Sequence, residues 1–282
     1  MKGLGQRGAA GVVLFWVLLP WSEAPGGHVV HFIRQLEHRS LTVRLQAAYF
    51  LGRLQDARAV PSLVKSLADP WEAVRAAAAI SLRKLGGPLA AAGLASALGD
   101  RSPWVRAEAV RGVGFLEERE AWTRVVAALD DEDFRVRLES VRALGRLKER
   151  GAALHLARVI EQAPEGDRLR EEALAALRQL SPYLQWEEMA FLLRSGADRR
   201  ERVRAALVLA ALADPRSVPS LIEALSDREP DVRAQAVLAL GGMDDRRAVE
   251  PLAHVAASEV DHRVRELARW AVDRLRSKVG RP

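Results

Sequence analysis

Residues 56–85 read DARAVPSLVKSLADPWEAVRAAAAISLRKL, and this stretch contains the pattern that the rest of the chain repeats. Two apolar segments are separated by a short turn around Asp69. Pro61 stands in the first turn of the earlier segment, where its missing N–H has no helical partner. Apolar or small residues of the later segment recur at offsets of 0, 4, 8 and 11, the spacing of one α-helical face. They are Val74, Ala78, Leu82 and Leu85. The stretch therefore predicts two helices joined by a turn.

The same unit recurs along the chain, and each copy is marked by an aliphatic residue followed by arginine. Successive pairs stand 31, 31, 31, 33, 34, 29 and 32 residues apart, so eight units account for nearly all of the 282 residues. In the sixth unit the helix after Val203 is expected to end early, at Asp214-Pro215, which explains the 29-residue spacing. The pairs are Val43-Arg44, Val74-Arg75, Val105-Arg106, Val136-Arg137, Leu169-Arg170, Val203-Arg204, Val232-Arg233 and Val264-Arg265.

The repeat predicts one elongated array of helices with no internal domain boundary. No segment shows the alternating pattern of a strand, and each short unit can bury its apolar faces only against its neighbours. We therefore expect an all-α protein, an α-solenoid of about eight helical hairpins over residues 27–282. Its first helix is predicted over 28–36, and the stretch 261–278 is predicted to close the far end.

Residues 1–26 differ from the repeats and have the pattern of a secretory signal peptide. A lysine and an arginine precede an apolar run over 9–21, which falls short of the roughly 20 apolar residues that span a bilayer. Small residues follow, and cleavage after Ala24 or Gly26 fits them. We expect an exported protein, whether periplasmic, secreted or envelope-associated. The alternatives are an uncleaved N-terminal anchor, a buried apolar cap and a cytoplasmic location.

Three motifs carry a family resemblance: Asp-x-Arg-Ala-Val-x-x-Leu, then Ala-Leu-x-Asp, then Val-Arg-x-x-Ala-x-x-x-Leu-Gly-x-Leu. Over roughly residues 28–277 the chain resembles HEAT repeats, and more narrowly the short bacterial HEAT-like repeats of the bilin-lyase type. The resemblance implies a right-handed superhelix whose second helices line a concave surface. Deoxyhypusine hydroxylases are HEAT-like enzymes with iron on His-Glu pairs, but none of the six histidines here is followed by glutamate.

An acidic residue stands five positions before most of the aliphatic-Arg pairs, near the turn between the two helices. A guanidinium and a carboxylate at this place can form charge-assisted hydrogen bonds that run from unit to unit. We interpret these residues as a structural ladder, with ligand contact as the alternative. The ladder residues are Asp69, Arg75, Asp100, Arg106, Asp131, Arg137, Asp198, Arg204, Asp227 and Arg233.

Aromatic residues form only 5% of the chain, so their placement bears on function. Trp71, Trp104 and Phe134 stand at or just before the second helix of three successive units and predict an aromatic edge that binds a partner. The alternative is that each ring covers the helix end of its own unit. A second candidate partner-binding surface lies at offsets 6 and 10 of the second helices, where the concave face is expected. Its residues are Tyr49, Arg53, Lys84, Arg111, Phe115, Arg142 and Arg146.

The motifs of cofactor and metal sites are missing from this sequence. The chain has no cysteine, and no glycine-rich phosphate loop or nucleophile–base pair is visible. His28 and His31 share a helix face, as do Glu250 and His254, but neither pair has a third convergent ligand. We therefore expect no enzyme activity, no cofactor and no metal.

The charge balance is basic, with 43 Lys and Arg against 37 Asp and Glu, a net charge of +6. Nucleic acid is nevertheless disfavoured, because many arginines belong to the ladder and others have acidic neighbours three residues before them. The predicted function is a non-catalytic scaffold that binds another protein through its concave face or its aromatic edge. The alternatives are an enzyme or accessory factor of the bilin-lyase type and nucleic-acid binding through an arginine-rich concave face. A membrane is contacted only through the N-terminal segment, if that is uncleaved.

Overall fold

The computed structural model describes residues 25–279, which contain helices and turns but no strand. Sixteen α-helices in this range pair into eight consecutive hairpins, so the predicted all-α solenoid is confirmed. The helices are α1 (Pro25–Gln35), α2 (Leu41–Leu54), α3 (Val60–Ser66), α4 (Glu72–Leu85), α5 (Pro88–Ser96), α6 (Pro103–Phe115), α7 (Trp122–Ala127), α8 (Phe134–Leu147), α9 (Ala153–Gln162), α10 (Arg168–Leu180), α11 (Trp186–Ser195), α12 (Arg199–Leu212), α13 (Val218–Glu223), α14 (Pro230–Gly242), α15 (Val249–Ser258) and α16 (His262–Val279).

The first helix of several hairpins begins at an Asp-x-Arg turn. The Asp56 carboxylate accepts the backbone N–H of Arg58 at 2.9 Å and pairs with its guanidinium at 2.6 Å. A short 3₁₀ turn, Ala57–Ala59, then leads into α3. Asp214 and Asp245 make the same contacts ahead of α13 and α15. These turns satisfy backbone donors that would otherwise lack a partner at the start of a helix.

The second helices carry the core residues that the sequence predicts. Val74, Ala78 and Leu82 in α4 are completely buried, and Leu85 packs against the core while partly exposed. Corresponding residues of the other hairpins extend this core from α1 to α16. The core is therefore a continuous strip that each hairpin shares with its neighbours, as expected for a repeat protein.

At several junctions successive second helices approach so closely that no side chain fits where glycine stands. A Cβ atom built on Gly114 of α6 would lie 2.6 Å from the Cα of Ala143 in α8, and one on Gly241 would lie 2.8 Å from the Cβ of Ala271. The first helices of neighbouring hairpins contact each other much less. The more closely spaced layer of a stack lies inside its curve, so the second helices form the concave side. The surface that they turn away from the first helices is called the inner face below.

The second helix of the sixth hairpin is not shortened, contrary to the expectation from the sequence. Helix α12 has 14 residues, the same as α2, α4 and α8, and ends at Leu212. Ala205 and Leu209 are completely buried at offsets 4 and 8 from Glu201. The position that corresponds to the first residue of the Val-Arg pair is therefore Glu201, two residues before Val203. The helix ends just before Asp214-Pro215 as expected, but the expected shortening was wrong. Counted in this way, the unit stands 32 residues after Leu169 and 31 before Val232.

The stacking also changes between the fifth and sixth hairpins. Helix α12 packs against α9 as well as against α10 and α11. Arg204, predicted as a ladder residue, instead donates from Nε to a carboxylate oxygen of Glu161 in α9 at 2.8 Å. Arg202 occupies the ladder position of this hairpin. The buried residues of α12 orient the helix so that Arg202, two residues before Arg204, faces the next hairpin.

The apolar run of the predicted leader, over 9–21, lies outside the described residues, so the leader stays a prediction. Helix α1 begins at Pro25 and α16 at His262, within three residues of the expected starts of the first and last predicted helical stretches. Between residues 25 and 279 no helix is both long and apolar enough to cross a membrane.

Candidate functional site

A ladder of buried ion pairs joins successive hairpins. Arg75 donates from Nε and Nη2 to the two carboxylate oxygens of Asp100, at 2.7 and 2.8 Å, and from Nη1 to the carbonyl of Asp69 at 2.9 Å. Asp100 also accepts the N–H of Ser102 at 2.8 Å. One carboxylate thus holds its own turn and binds the arginine of the preceding unit. The same two-pronged contact joins Arg44 to Asp69, Arg106 to Asp131, Arg202 to Asp227 and Arg233 to Glu259.

Two of the ladder carboxylates, those of Asp100 and Asp131, are held in their ionised form. Hydrogen bonds from Arg106 outweigh burial and keep the pKa of Asp131 below its usual value. Burial by itself raises the pKa of Asp100, but the hydrogen bonds from Arg75 and the Ser102 N–H, with the Arg75 charge, outweigh it and lower the pKa. The guanidinium groups of Arg75 and Arg106 are therefore bound to carboxylates of the solenoid itself.

The ladder is interrupted in the middle of the chain, where two further predicted members have other contacts. Arg137 donates to the backbone carbonyls of Asp131 and Glu132, at 2.8 and 2.9 Å, and pairs with no carboxylate in the described range. Asp198 caps α12 by accepting the N–H of Glu201 at 2.8 Å. The break extends from Arg137 in the fourth hairpin to Asp198 in the sixth, and so includes the junction where the stacking changes.

A second set of ion pairs crosses the inner face of α6, α8 and α10. Arg111 pairs with Glu108 of its own helix at 2.7 Å and with both oxygens of Glu139 at 3.0 and 3.1 Å. Arg142 then pairs with Glu139 at 3.0 Å and with Glu172 of α10. Arg111 and Arg142, predicted to bind a partner, thus hold neighbouring hairpins together. The Glu-x-x-Arg spacing in the sequence indicated the pairs within each helix but not those between helices.

Two carboxylates of this inner network are almost completely buried. Glu139 is 5% exposed and Glu108 is 7% exposed. Burial by itself raises the pKa of Glu139, but hydrogen bonds from Arg111 and Arg142 and their charges outweigh it and lower the pKa. The Oε2 atom of Glu108 is shielded from solvent and has no hydrogen-bond partner. Glu139 therefore stays ionised at neutral pH.

An open groove of about 330 Å³ lies above this network between α6 and α8. Trp104, 41% exposed, lines it together with Leu138, Arg111 and Arg142. Arg168 contributes from the start of α10. The groove brings Trp104 of the predicted aromatic edge to the same surface as residues of the predicted concave face.

Cations and aromatic rings alternate on α2, α4 and α6. The Lys84 ammonium lies 5.7 Å from the ring centre of Tyr49, and the Arg83 guanidinium lies 5.5 Å from that of Phe115. Tyr49 and Phe115 remain 48% and 59% exposed. Sequence reasoning missed Arg83, because it stands one position before the offset that was predicted to face inward.

The other two edge aromatics do not join Trp104 in a stacked patch. Trp71 is 57% exposed at the start of α4, and Phe134 is 40% exposed with the Arg137 guanidinium 5.7 Å from its ring centre. In the described part of the chain none of these three rings stacks on another. Nor do three or more acidic or histidine side chains in that part converge as metal ligands.

Comparison with known proteins identifies the family of this chain. The sequence model of HEAT repeats matches residues 29–100, 91–178 and 189–273. The chain belongs to the HEAT-repeat family. The resemblance noted in the sequence is thereby confirmed, although no curated protein matches this HEAT-repeat chain significantly.

Solved structures share the HEAT-repeat fold at low sequence identity. The complex of CpcE and CpcF of phycocyanin lyase from Nostoc sp. PCC7120 has a TM-score of 0.51 and 20% identity, covering 94% of this chain and 99% of that one. Kap121p bound to Ste12p has a TM-score of 0.66 and 14% identity, covering 90% and 34%. Kap95p with RanGDP has a TM-score of 0.57 and 12% identity, covering 91% and 40%. These similarities establish the shared solenoid architecture.

Proposed function

We propose that this HEAT-repeat solenoid is a non-catalytic scaffold that binds another protein through the inner face of α2, α4, α6 and α8. The observation that carries the proposal is the exposure of Tyr49, Trp104 and Phe115 on one face, beside cations. Large aromatic rings and arginine side chains are enriched at the centres of protein interfaces. Two of the similar solved structures, CpcE with CpcF and Kap121p with Ste12p, are likewise complexes between proteins.

The chemistry of the inner network supports binding over catalysis. The carboxylate of Glu139 is held ionised by two arginines, so it is poorly suited to donate a proton at neutral pH. Arg111 and Arg142 are engaged by Glu108, Glu139 and Glu172, which leaves little of their hydrogen-bonding capacity for a reacting group. The same engagement argues against a continuous arginine-rich face for nucleic acid.

The proposal predicts that removing two inner-face rings reduces partner capture at least about tenfold. In affinity capture from native cells, the Trp104→Ala/Phe115→Ala variant is expected to retain less than about one tenth of the protein that the wild type retains, because aromatic side chains that become buried on binding dominate interface energies. The matched control is Phe191→Ala/Leu89→Ala, which removes residues 61% and 50% exposed on the layer of first helices. Circular dichroism checks that each variant is folded.

Three outcomes contradict the inner-face proposal. They are equal loss in the control variant, unchanged capture in the inner-face variant, and no specific protein retained by the wild type. Loss confined to Trp71→Ala/Phe134→Ala would instead place the partner on the aromatic edge.

We also propose that the protein is exported and that its leader, residues 1–26, is removed. Support comes from the basic start and short apolar run of that segment. Mass spectrometry of the protein from the native cell envelope and medium is expected to find a mature N-terminus at Pro25 or Gly27. A chain beginning at Met1 in the cytoplasmic fraction would overturn this proposal.

A further inference from the structure

Four residues occupy one helical position in four successive hairpins. Arg53, Lys84, Phe115 and Arg146 lie 31 residues apart from one to the next, in the last turns of α2, α4, α6 and α8. The four side chains are all exposed. Arg146 lines the inner-face groove between α8 and α10 together with Arg142, which places this row on the proposed binding surface. The row is called the cationic row below.

The three cations of the cationic row lack the carboxylate partners that neutralise their neighbours. Arg53, Lys84 and Arg146 form no ion pair within residues 25–279, whereas Arg142, also on the inner face, pairs with two glutamates. Phe115 interrupts the charges with a ring that is 59% exposed. The row is therefore a line of positive charge with one apolar position. Glu172, which lines the same groove as Arg146, compensates that one arginine in part, without an ion pair between them.

A further cation lies beside the cationic row. The Arg83 guanidinium rests over the Phe115 ring, and its Nε atom is shielded from solvent, so Arg83 adds positive charge next to the row but no accessible Nε donor. The row and this neighbouring charge therefore favour a ligand that carries negative charge and acceptor oxygens.

We propose that the partner presents an extended acidic segment that lies along the cationic row. Packed helices stand about 9 Å apart. A chain in the extended polyproline II conformation rises about 3.1 Å per residue with three residues per turn, so every third side chain faces the same way. Successive positions of the row are therefore matched by every third residue of the ligand. The recognised pattern is acidic-x-x-acidic-x-x-apolar-x-x-acidic, in which carboxylates meet Arg53, Lys84 and Arg146 and an apolar side chain covers Phe115. The inference rests on the proposed protein-binding function and specifies its ligand.

Fluorescence anisotropy with synthetic peptides tests this spacing. The probe is a labelled peptide with the sequence Glu-Ser-Ser-Glu-Ser-Ser-Leu-Ser-Ser-Glu, and its control has the same composition with the three glutamates adjacent. We expect the patterned peptide to bind more tightly than the control, and its affinity to fall as salt is raised. Equal binding of the two peptides overturns the inferred spacing, and tighter binding of a single-stranded oligonucleotide of equal length overturns the choice of an acidic protein segment.

Two triple variants, each lacking three positive charges, distinguish a local binding site from attraction by the overall positive charge of the protein. Arg53→Gln/Lys84→Gln/Arg146→Gln is expected to weaken binding of the patterned peptide about tenfold, since each exposed ion pair contributes a factor of a few. Lys65→Gln/Arg124→Gln/Arg246→Gln removes the same charge from exposed positions outside the inner face and is expected to change binding less than about twofold. Equal weakening in both variants contradicts the proposal.

The outcome also distinguishes this inference from the proposed function. A natural partner that is lost from Trp104→Ala/Phe115→Ala but retained by the cationic-row variant would leave the binding function in place and overturn the acidic segment. A partner that both variants lose supports the two together.

Discussion

Replacing Arg75 with methionine is expected to lower the free energy of unfolding by about 3 kcal/mol, as removal of one member of a buried ion pair does. The side chains of Arg75 and Asp100 are only 4% and 10% exposed. Methionine keeps much of the aliphatic packing but donates no hydrogen bond, so the Asp100 carboxylate retains only the N–H of Ser102. Urea unfolding followed by far-ultraviolet circular dichroism measures the loss.

Arg137→Met is the matched control for this variant. Arg137 stands at the corresponding position of α8 but donates only to backbone carbonyls. Its replacement is expected to cost about 1 kcal/mol, the usual net contribution of such hydrogen bonds. Equal losses in the two variants would show that the carboxylate contact adds nothing to stability.

Acidification gives a second measure of the Arg75–Asp100 pair. The pKa of Asp100 is lower in the folded protein than its unfolded value of about 3.9. The contribution of the pair is therefore complete above that value and disappears as the pH falls through the folded-state pKa. The difference in stability between the wild type and Arg75→Met is expected to shrink below about pH 4.

Replacing Gly114 with alanine is expected to cost about 2 kcal/mol, which is typical of overpacking in a core. The added Cβ would lie 2.6 Å from both the Cα and the Cβ of Ala143. A backbone atom cannot move aside as a side chain can, so α6 and α8 must separate. Their separation also stretches the ion pair between Arg111 and Glu139, which crosses the same interface. Thermal and urea unfolding measure the cost.

Two other glycines provide a graded control for Gly114→Ala. A Cβ on Gly112 would meet the methyl groups of Leu94 at 2.7 and 3.0 Å, and that flexible side chain can turn away. A Cβ on Gly242, at the end of α14, would have no atom within 4 Å, so alanine there is expected to stabilise by about 0.5 kcal/mol. The expected order of cost is Gly114, then Gly112, then Gly242, and a different order would contradict the packing argument.

The repeat spacing predicted the hairpins because each unit encodes its own buried face. Val74, Ala78 and Leu82 lie on one side of a helix whatever the remainder of the chain does, and all three are buried as expected. The same reasoning from the repeat pattern assigned the wrong arginine to the ladder at Val203-Arg204. There a second arginine, Arg202, stands nearby, and only the burial of Ala205 and Leu209 decides which of the two faces the next hairpin.

The candidate site was predicted only in part. The sequence placed its residues on the inward-facing side of the second helices, but it did not identify their ion-pair partners on neighbouring helices. The offset pattern identified Lys84, Phe115 and Arg146 as inward-facing. It could not show that Arg111 would be neutralised by Glu139 of the next helix while Arg146 would have no ion pair. Whether a charge is compensated by another hairpin depends on residues 25 or more positions away, which come close only after the hairpins stack.

The sequence by itself determined that this protein is a stack of eight helical hairpins, since helical periodicity and turn residues act over a few neighbouring positions. The tertiary structure alone decided which arginines hold the stack together and which remain exposed without an ion pair in the described part of the chain. Ion pairs form across the spaces between second helices, and the width of those spaces is set by contacts such as Gly114 against Ala143. How closely the helices pack thus decides which arginines form ion pairs between hairpins and which stay exposed on the surface.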